Sequence, residues 1–494
     1  MLHSQLHDGG IAGDRENLAP LFARRAMTHP VPRYELPSTG MDPEAAYQLV
    51  HDELQLDGNP LLNLASFVTT WMEPQADRLL AETLAKNAVD ADEYPQTVEI
   101  QQRCVNVLAH LFNAPGSGEA VGTATVGSSE AIHLAGLAMK WRWRALRKSA
   151  GKPADQPNIV MGSHVQVVWE KFARYFDVEP RYVPCSGHDW GLRVPEAMRK
   201  VDENTIGVVG ILGSTYTGGF DPIAELDAAL TALNTRSGLD VPIHVDAASG
   251  GFVAPFTKPG LEWDFRLSMV RSINTSGHKY GLVYPGIGWV LWRDKADLPE
   301  DLIFHVSYLG GDQATFNLNF SRGASQIIGQ YYNFLRLGRS GYTEIMQALT
   351  RLAARLAGKL EATGHVELLS RGQDLPLVCF KLTGERPYDA HEVSEQLRCR
   401  GWIVPAYPMP PDIEDTTVLR VVVREGMSRD LVDAFATDFN QAIDILDRSH
   451  STLPPGGHAT NQAASVRPVE HRAGKKGIDD SRERAHKAGH RGVC

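Results

Sequence analysis

The sequence predicts an α/β protein with a large, mostly parallel sheet and a second, smaller α+β domain. Short apolar runs rich in β-branched residues alternate with helical segments through the middle of the chain, as parallel strands and crossover helices do. Several of these runs end in Gly, Ser and Thr, which is typical of ligand-binding loops at the carboxyl ends of parallel strands. The predicted strands of the large sheet are Asn158 to Gly162, Arg181 to Val183, Ile206 to Leu212, Val241 to Val245, Val270 to Asn274 and an antiparallel strand from Ile287 to Trp292.

The length of 494 residues exceeds what a single hydrophobic core supports, so we expect several parts. We divide the chain into an N-terminal arm and helix (1–60), a large domain (61–345), a small C-terminal domain (346–448) and a disordered tail (449–494), which has few aliphatic residues. Asp42 as N-cap and Pro43 in the first turn begin the first helix, and Tyr47, Leu49, Val50 and Leu54 are spaced for one buried face.

The second half of the chain is predicted to enter the small domain through long helices. The helices predicted there are Gln326 to Leu337, Tyr342 to Thr363, Ala390 to Arg398 and Arg429 to Ile445, and the strands are Leu377 to Lys381 and Val418 to Val423.

Charge and composition exclude several classes of partner. The net charge of −10 repels the phosphates of nucleic acids. No apolar run approaches the ~20 residues of a membrane-spanning helix, and the N-terminus lacks a signal-peptide pattern. The five cysteines are scattered and indicate free thiols in a reducing compartment. We therefore expect a cytoplasmic protein that binds neither nucleic acid nor membrane.

Two predicted strand ends carry a carboxylate and a lysine. Asp246 follows a buried strand and precedes a run of small residues, Ala247 to Gly251, which leaves room for a flat ligand. His278 and Lys279 follow the next strand. Taken singly, such residues are helix caps or solvated charges. Together they supply an acid for a pyridine nitrogen and an amine for an aldehyde, which pyridoxal 5′-phosphate (PLP) requires.

A candidate phosphate site lies in the loop predicted from Gly122 to Glu130, before a helical run from Ala131 to Arg147. Gly127, Ser128 and Ser129 offer backbone N–H groups, two hydroxyls and the positive end of a helix dipole. The alternative is an ordinary serine N-cap.

At these residues the chain resembles the group II PLP-dependent amino-acid decarboxylases, and within them the glutamate decarboxylase branch. The resemblance covers roughly residues 37 to 446. The motifs that carry it are Leu64–Phe67, Asp92–Gln96, Gly127–Ala131, Met139–Arg144, His244–Phe252, Ser276–Gly281 and Asn319–Arg322.

The resemblance implies PLP as cofactor and the fold type I (aspartate-aminotransferase-like) architecture. Lys279 would hold PLP as a Schiff base, Asp246 would pair with the pyridine nitrogen, and His278 is the third implied catalytic residue. The implied cofactor-binding residues are Ser128, Ser129, Gln166, Thr215, Asp246, Ser276, His278, Lys279 and Ser321, of which the last reaches in from a neighbouring subunit. No metal is expected.

The implied reaction converts L-glutamate into 4-aminobutyrate (GABA) and CO₂ and consumes one proton. The implied substrate residues are Ser66, Phe67, Asn87 and Asp90 for the distal carboxylate and Arg420 for the α-carboxylate. Ser66 stands where the family more often has Thr and keeps the hydroxyl. Two adjacent carboxylates, those of Asp90 and the substrate, require a shared proton, so we expect activity favoured by acid. Without the resemblance, Arg420 would be interpreted as part of a surface salt bridge.

The resemblance also implies at least a homodimer with shared sites, with a hexamer as the larger alternative. Calmodulin control is not expected, because the last tryptophan is Trp402. The arm 1–40 and His458, His486 or His490 prompt the hypothesis of pH gating, in keeping with a role in acid resistance or a GABA shunt. Two alternatives stay open: a decarboxylase of another acidic amino acid such as aspartate, and a non-catalytic scaffold on the same fold.

Overall fold

A computed structural model of the chain describes residues 31–116, 120–186, 190–307 and 313–451. The chain divides into two compact units, one ending at Leu62 and the other beginning at Asn63. His458, His486 and His490 of the gating hypothesis lie outside the described residues, as do the first thirty residues of the arm.

In the first unit, α1 (Pro43–Leu54) begins where the sequence predicts. The side chain of Asp42 accepts hydrogen bonds from two backbone N–H groups of the first turn, as an N-cap does. The predicted burial of the apolar face is wrong, because Tyr47, Val50 and Leu54 are 61%, 59% and 57% exposed. In residues 31–62, the described part of this unit, only the short 3₁₀ turn Pro60–Leu62 accompanies α1, so nothing there buries its apolar stripe.

A seven-stranded sheet dominates the second unit. Its strands are β1 (Val121–Thr125), β2 (Asn158–Gly162), β3 (Glu179–Val183), β4 (Thr205–Ile211), β5 (Ile243–Asp246), β6 (Val270–Thr275) and β7 (Gly288–Trp292). Their order is β1-β7-β6-β5-β4-β2-β3. All neighbours are parallel except β7, which runs antiparallel to β6 and β1. The six strands that the sequence predicts are present, and the antiparallel direction of β7 is confirmed.

Strand β1 occupies part of the predicted loop from Gly122 to Glu130, and that prediction is wrong in extent. Only Val126 and Gly127 lie between β1 and the next helix, which begins at Ser128. Val121, Thr123 and Thr125 are β-branched and favour a strand, and antiparallel pairing with β7 fixes it. A Cβ at Gly122 would lie 2.7 Å from the carbonyl oxygen of Val290 on β7, so glycine permits this close pairing.

Helices cover the sheet and lead into the smaller layer. Those of the second unit are α2 (Pro74–Glu82), α3 (Pro95–Leu111), α4 (Ser128–Ser149), α5 (Val167–Tyr175), α6 (Val194–Lys200), α7 (Ile223–Ser237), α8 (Ala254–Thr257), α9 (Ser325–Glu361), α10 (Ala390–Arg398) and α11 (Arg429–Ser451). Within the described ranges, no helix combines the length and the apolar composition that crossing a bilayer requires.

Helix α9 carries the chain from the large sheet to the small one. It is interrupted at Gly338, whose φ of 57° and ψ of −172° are not helical. A positive φ is readily adopted by glycine, and this interruption corresponds to the gap between the two helices that the sequence predicts.

The small sheet is antiparallel, with the order β10-β11-β13-β12. After a two-stranded ribbon of β8 (Phe304–Val306) and β9 (Gln313–Thr315), its strands are β10 (Val366–Arg371), β11 (Leu377–Leu382), β12 (Ala406–Pro408) and β13 (Thr417–Val422). The sequence predicts β11 and β13 but misses β10 and β12. Helix α11 continues to Ser451, so residues 449–451 of the predicted disordered tail are helical.

Candidate active site

The predicted acid and lysine lie at the carboxyl ends of two adjacent parallel strands. Asp246 is the last residue of β5, and Lys279 lies four residues beyond the end of β6. The strands pair in a register that places Asp246 opposite Asn274. Parallel strands present their carboxyl ends at one edge, and this edge therefore carries the site.

The carboxylate of Asp246 is buried and accepts hydrogen bonds from three donors. Its Oδ1 accepts from the side-chain Nδ2 of Asn274 at 3.1 Å and from the backbone N–H of Ala248 at 3.2 Å. Its Oδ2 accepts from Nε1 of Trp169 at 3.0 Å. Only 5% of Asp246 is exposed, so these three donors stabilise a charge that water scarcely reaches.

Three residues of this environment were missed in the sequence: Trp169, Asn274 and His244. His244 lies on β5 two residues before Asp246 and contacts the Asn274 side chain, with 2.8 Å between its Nε2 and Asn274 Oδ1. For His244 and Asn274 the available signal was the spacing of polar residues by two along buried strands, with Asp246 on β5 and Ser272 on β6. That spacing puts them on one face of the sheet.

The environment of Lys279 favours the neutral, nucleophilic form of its amine. Its Nζ donates to Ser249 Oγ at 3.2 Å and lies 5.3 Å from the centre of the Phe67 ring. Burial lowers the pKa of Lys279 to about 8; Asp246 opposes this shift and Arg420 adds to it. A lowered pKa increases the fraction of neutral amine, which is the form that attacks an aldehyde.

The start of α4 meets the loop after β6 at the predicted phosphate site. Ser128 Oγ and Ser276 Oγ are 2.6 Å apart, and a Cβ at Gly127 would lie 3.2 Å from Cε1 of His278. The Nδ1 atom of His278 is buried without a hydrogen-bond partner in the described part of the chain. Burial and the neighbouring Lys279 lower the pKa of His278 to about 4, so its imidazole is neutral at neutral pH. Ser129, by contrast, is exposed.

Arg420 comes to the same edge from the small sheet. It lies on β13, is 1% exposed, and donates through its two terminal nitrogens to the backbone carbonyls of Thr215 and Ala65. Its Cζ lies 4.9 Å from the ring centre of Phe67 and 5.5 Å from that of Tyr407. The interpretation as a surface salt bridge is wrong, since Arg420 is buried.

The guanidinium of Arg420 retains binding capacity. Its Nε has no hydrogen-bond partner, and none of the ion pairs within the described ranges includes it. Buried cations are normally matched by a carboxylate. Arg420 is therefore a buried cation whose charge acts on Lys279 and lacks a carboxylate partner in the described part of the chain.

Three other predicted residues make local contacts. Ser66 Oγ accepts from the backbone N–H of Val68 at 3.1 Å. Gln166 is the N-cap of α5 and accepts from the N–H of Val168 at 2.7 Å, which fixes its side chain at the helix start. Thr215 contributes its carbonyl to Arg420.

Asn87, Asp90 and Ser321 belong to a second group. Asn87 Oδ1 accepts from the N–H of Arg322 at 3.1 Å, and a β-bridge joins Asn87 to Gly323. Ser321 is exposed. None of the hydrogen bonds found in the described part of the chain joins these residues to Lys279 or Asp246.

Glu130 connects the phosphate end to this second group, and it too was missed as a functional residue. Its Oε1 accepts from the backbone N–H groups of Leu318 and Asn319 at 3.0 and 3.2 Å. It is 4% exposed. This contact positions the segment that leads to Ser321.

The residues at the strand edge fit PLP. The acid at β5 suits a pyridine nitrogen, and the amine of Lys279 suits the aldehyde. The unpartnered His278 Nδ1, the two close serine hydroxyls and the N-terminus of α4 suit the phosphate. Each end of the cofactor thus has a complementary group.

Comparisons with known proteins agree with this chemistry. The conserved domain of pyridoxal-dependent decarboxylases matches residues 32–383. A glutamate decarboxylase of Petunia hybrida is 55% identical over 435 residues, covering 88% of this chain and 86% of the relative. A glutamate decarboxylase of Lactococcus lactis subsp. cremoris (strain MG1363) is 48% identical over 441 residues, covering 88% and 95%. The solved glutamate decarboxylase of Lactobacillus brevis CGMCC 1306 superposes with a TM-score of 0.84 at 48% identity, covering 88% of this chain and 99% of that one.

Proposed function

Because this chain belongs to the pyridoxal-dependent decarboxylase family, we propose that it converts L-glutamate into 4-aminobutyrate and CO₂. The observation that carries the proposal is the buried Arg420, a cation without a carboxylate partner in the described part of the chain, next to Phe67 and Lys279. The relatives named glutamate decarboxylase match most of the chain, which supports glutamate over other amino acids.

PLP, when bound, supplies the electron sink for the electrons of the broken carbon–carbon bond. Lys279 Nζ would hold the cofactor at its aldehyde, because burial increases the fraction of its neutral amine. Asp246 would accept the N–H of the pyridine ring and hold that proton. Opposite charges at 4 Å are worth about 4 kcal/mol at an effective dielectric of 20, enough to hold the ring charged.

The phosphate would be held by Ser128, Ser276, His278 and the N-terminus of α4, with Ser129 at the rim. Gln166 would lie over the ring, and Thr215 near the ring hydroxyl or the substrate carboxylate. These contacts would hold the cofactor in one orientation beside Lys279.

We propose that Arg420 binds the α-carboxylate of glutamate and that Ser66 and Phe67 line the path of its side chain. In the overall reaction the α-carboxylate leaves as CO₂, and the α-carbon takes up one proton in its place. Since one proton is consumed in each turnover, acid resistance or a GABA shunt is the proposed role.

The second group of residues supports a shared site in a homodimer or larger oligomer. Asn87, Asp90 and Ser321 lie together, and apolar side chains near them in sequence are exposed, Leu84 at 72% and Leu318 at 46%. We propose that this surface binds a second copy of the chain and contributes these residues to its site. Asp90 beside the distal carboxylate would then require a shared proton, which favours activity in acid.

The proposal also includes the domain organisation and the cellular location of the protein. The large sheet and the small sheet would belong to domains of residues 61–345 and 346–448. A cytoplasmic location suits the unpaired, buried thiols of Cys104, Cys185 and Cys379.

The test is to measure CO₂ and 4-aminobutyrate released from L-glutamate with added PLP at mildly acidic pH. We expect release by the unaltered protein and none by Lys279→Ala, because the amine that binds the aldehyde is gone. Lys258→Ala is the matched control, since Lys258 pairs with Asp374 and should leave the reaction unchanged.

Each other result has a defined meaning. Release from L-aspartate and not from L-glutamate would replace the proposed substrate with the alternative acidic amino acid. The absence of both CO₂ release and cofactor absorbance would support the non-catalytic scaffold.

A further inference from the structure

A chain of buried hydrogen bonds crosses two strands and ends at Asp246. Ser272 Oγ and His244 Nδ1 are 2.8 Å apart, His244 Nε2 and Asn274 Oδ1 are 2.8 Å apart, and Asn274 Nδ2 lies 3.1 Å from Asp246 Oδ1. The strand register places His244 opposite Ser272 and Asp246 opposite Asn274. These four side chains are at most 5% exposed.

Asp246, the last residue of this hydrogen-bonded series, determines which group donates and which accepts in each bond. An ionised carboxylate only accepts, so the amide nitrogen of Asn274 faces Asp246 and its oxygen faces His244. That oxygen in turn requires the proton of His244 to be on Nε2. Burial lowers the pKa of His244 to about 4, with Asp246 opposing the shift, so the ring is neutral and its Nδ1 accepts the Ser272 hydroxyl proton.

The acceptor positions of Asp246 are nearly all used. A carboxylate offers about four lone-pair positions. Asn274 and Ala248 use two at Oδ1, and Trp169 uses one at Oδ2. One position at Oδ2 is left, and Trp169 also packs edge-on against His244 with 5.3 Å between the ring centres.

We propose that Trp169, Asn274 and His244 are positioning residues that act through Asp246, fixing its rotation and keeping it an acceptor, so that its one open position receives the N–H of the PLP ring. The inference rests on the proposed function only for the identity of the cofactor. It is independent of which amino acid is decarboxylated.

The test uses cofactor affinity. The protein freed of cofactor is titrated with PLP and with an analogue in which carbon replaces the ring nitrogen, and the ratio of the two dissociation constants is compared between variants. The analogue keeps the phosphate and the aldehyde but cannot pair with Asp246. The ratio therefore reports the ring-nitrogen contact and is insensitive to a general loosening of the site.

Trp169→Phe should reduce the preference for PLP over the analogue by about tenfold, the value of a hydrogen bond to a charged group. Trp143→Phe is the matched control. Trp143 is also buried, packs in the same apolar cluster, and donates through Nε1 to a backbone carbonyl, that of Glu203, at 3.0 Å. This variant should lose similar stability and keep the preference.

His244 allows a second comparison, since a glutamine amide can supply the N–H that leucine lacks. His244→Leu should reduce the preference for PLP over the analogue, whereas His244→Gln should keep most of that preference. If Trp169→Phe and His244→Leu both bind the cofactor with an unchanged ratio, the proposal is overturned.

The result does not depend on the proposed substrate. A protein that prefers PLP over the analogue but releases no CO₂ from glutamate would contradict the proposed function and leave this inference standing. A failure of the unaltered protein to distinguish the two cofactors would overturn the inference, whatever its activity.

Discussion

The site contains two buried charges of opposite sign that the protein treats differently. Asp246, on the large sheet, accepts three hydrogen bonds from fixed donors of the protein. Arg420, on the small sheet, donates to two backbone carbonyls, stacks on two aromatic rings and keeps an unpartnered Nε. The protein alone stabilises the charge of Asp246, whereas the charge of Arg420 has no carboxylate partner in the described part of the chain. This difference suits a permanently held cofactor at Asp246 and an exchanging substrate at Arg420.

Lys279 lies between the two charges and is influenced by both. Asp246 raises the pKa of its amine and Arg420 lowers it, while burial has the largest effect and lowers it. The reactivity of the lysine therefore depends on the balance between the two sheets.

The largest expected effect comes from removing the stabilised charge. Asp246→Ala leaves three buried donors without an acceptor and the ring nitrogen without a partner. We expect a loss on the order of 4 kcal/mol, or about a thousandfold in rate and in PLP affinity, as for breaking a buried pair. Rate and cofactor affinity are measured by turnover and by equilibrium titration.

Asp264→Ala serves as its control. Asp264 is equally buried and binds Arg266, away from the site. It should lower the stability of the protein and leave PLP affinity unchanged. Equal effects of the two variants on PLP affinity would contradict the role of Asp246.

Removing the positive charge of Arg420 should weaken the use of the substrate more than the binding of PLP. Arg420→Met is expected to lower kcat/KM for L-glutamate by roughly a hundredfold, about 3 kcal/mol, with little change in PLP affinity. Arg420→Lys should recover only part of this, because the ammonium lacks the planar fork that binds a carboxylate. Steady-state kinetics and PLP titration separate the two contributions.

The comparison with Arg424→Met makes this prediction specific. Arg424 is buried in the same region but is paired with Glu425 at 2.9 Å. Its loss should reduce stability without raising KM. An Arg420→Met protein with normal KM and weakened PLP binding would reverse the assignment of the two charges.

The third effect concerns the stability of the cofactor-free protein and its pH dependence. The pKa of Lys279 falls from 10.5 to about 8 on folding. Between these values the unfolded chain holds a proton that the folded chain has released, so this group makes stability rise with pH through that window. Below pH 8 the folded protein carries the full cost of the buried ammonium.

Lys279→Met should therefore stabilise the cofactor-free protein by about 3 kcal/mol at neutral pH, and the gain should shrink as the pH rises from 8 towards 10.5. Denaturant unfolding at several pH values measures it. Lys381→Met, which removes an exposed lysine paired with Glu367, should change stability by less than about 0.5 kcal/mol. A gain that does not vary with pH would show that the charge is not its cause.

The sequence by itself determined the elements whose signal is local. Short apolar runs identified the buried strands β2, β4 and β5, and the capping pair of Asp42 and Pro43 located α1. Asp246 and Lys279 after two strands predicted the cofactor only together with His278 and the Gly127–Ser129 loop. These features depend on neighbours along the chain, so they can be read from one sequence.

Tertiary structure alone decided how those residues are surrounded. Trp169 reaches Asp246 from 77 positions away, and Arg420 reaches the carbonyl of Ala65 across 355 positions. Pairing with β7 makes an edge strand of a segment that the sequence predicts as a loop, and the apolar stripe of α1 is exposed although its spacing predicts burial. Burial, pairing and the pKa of Lys279 depend on groups that only the fold brings together, and no local pattern encodes them.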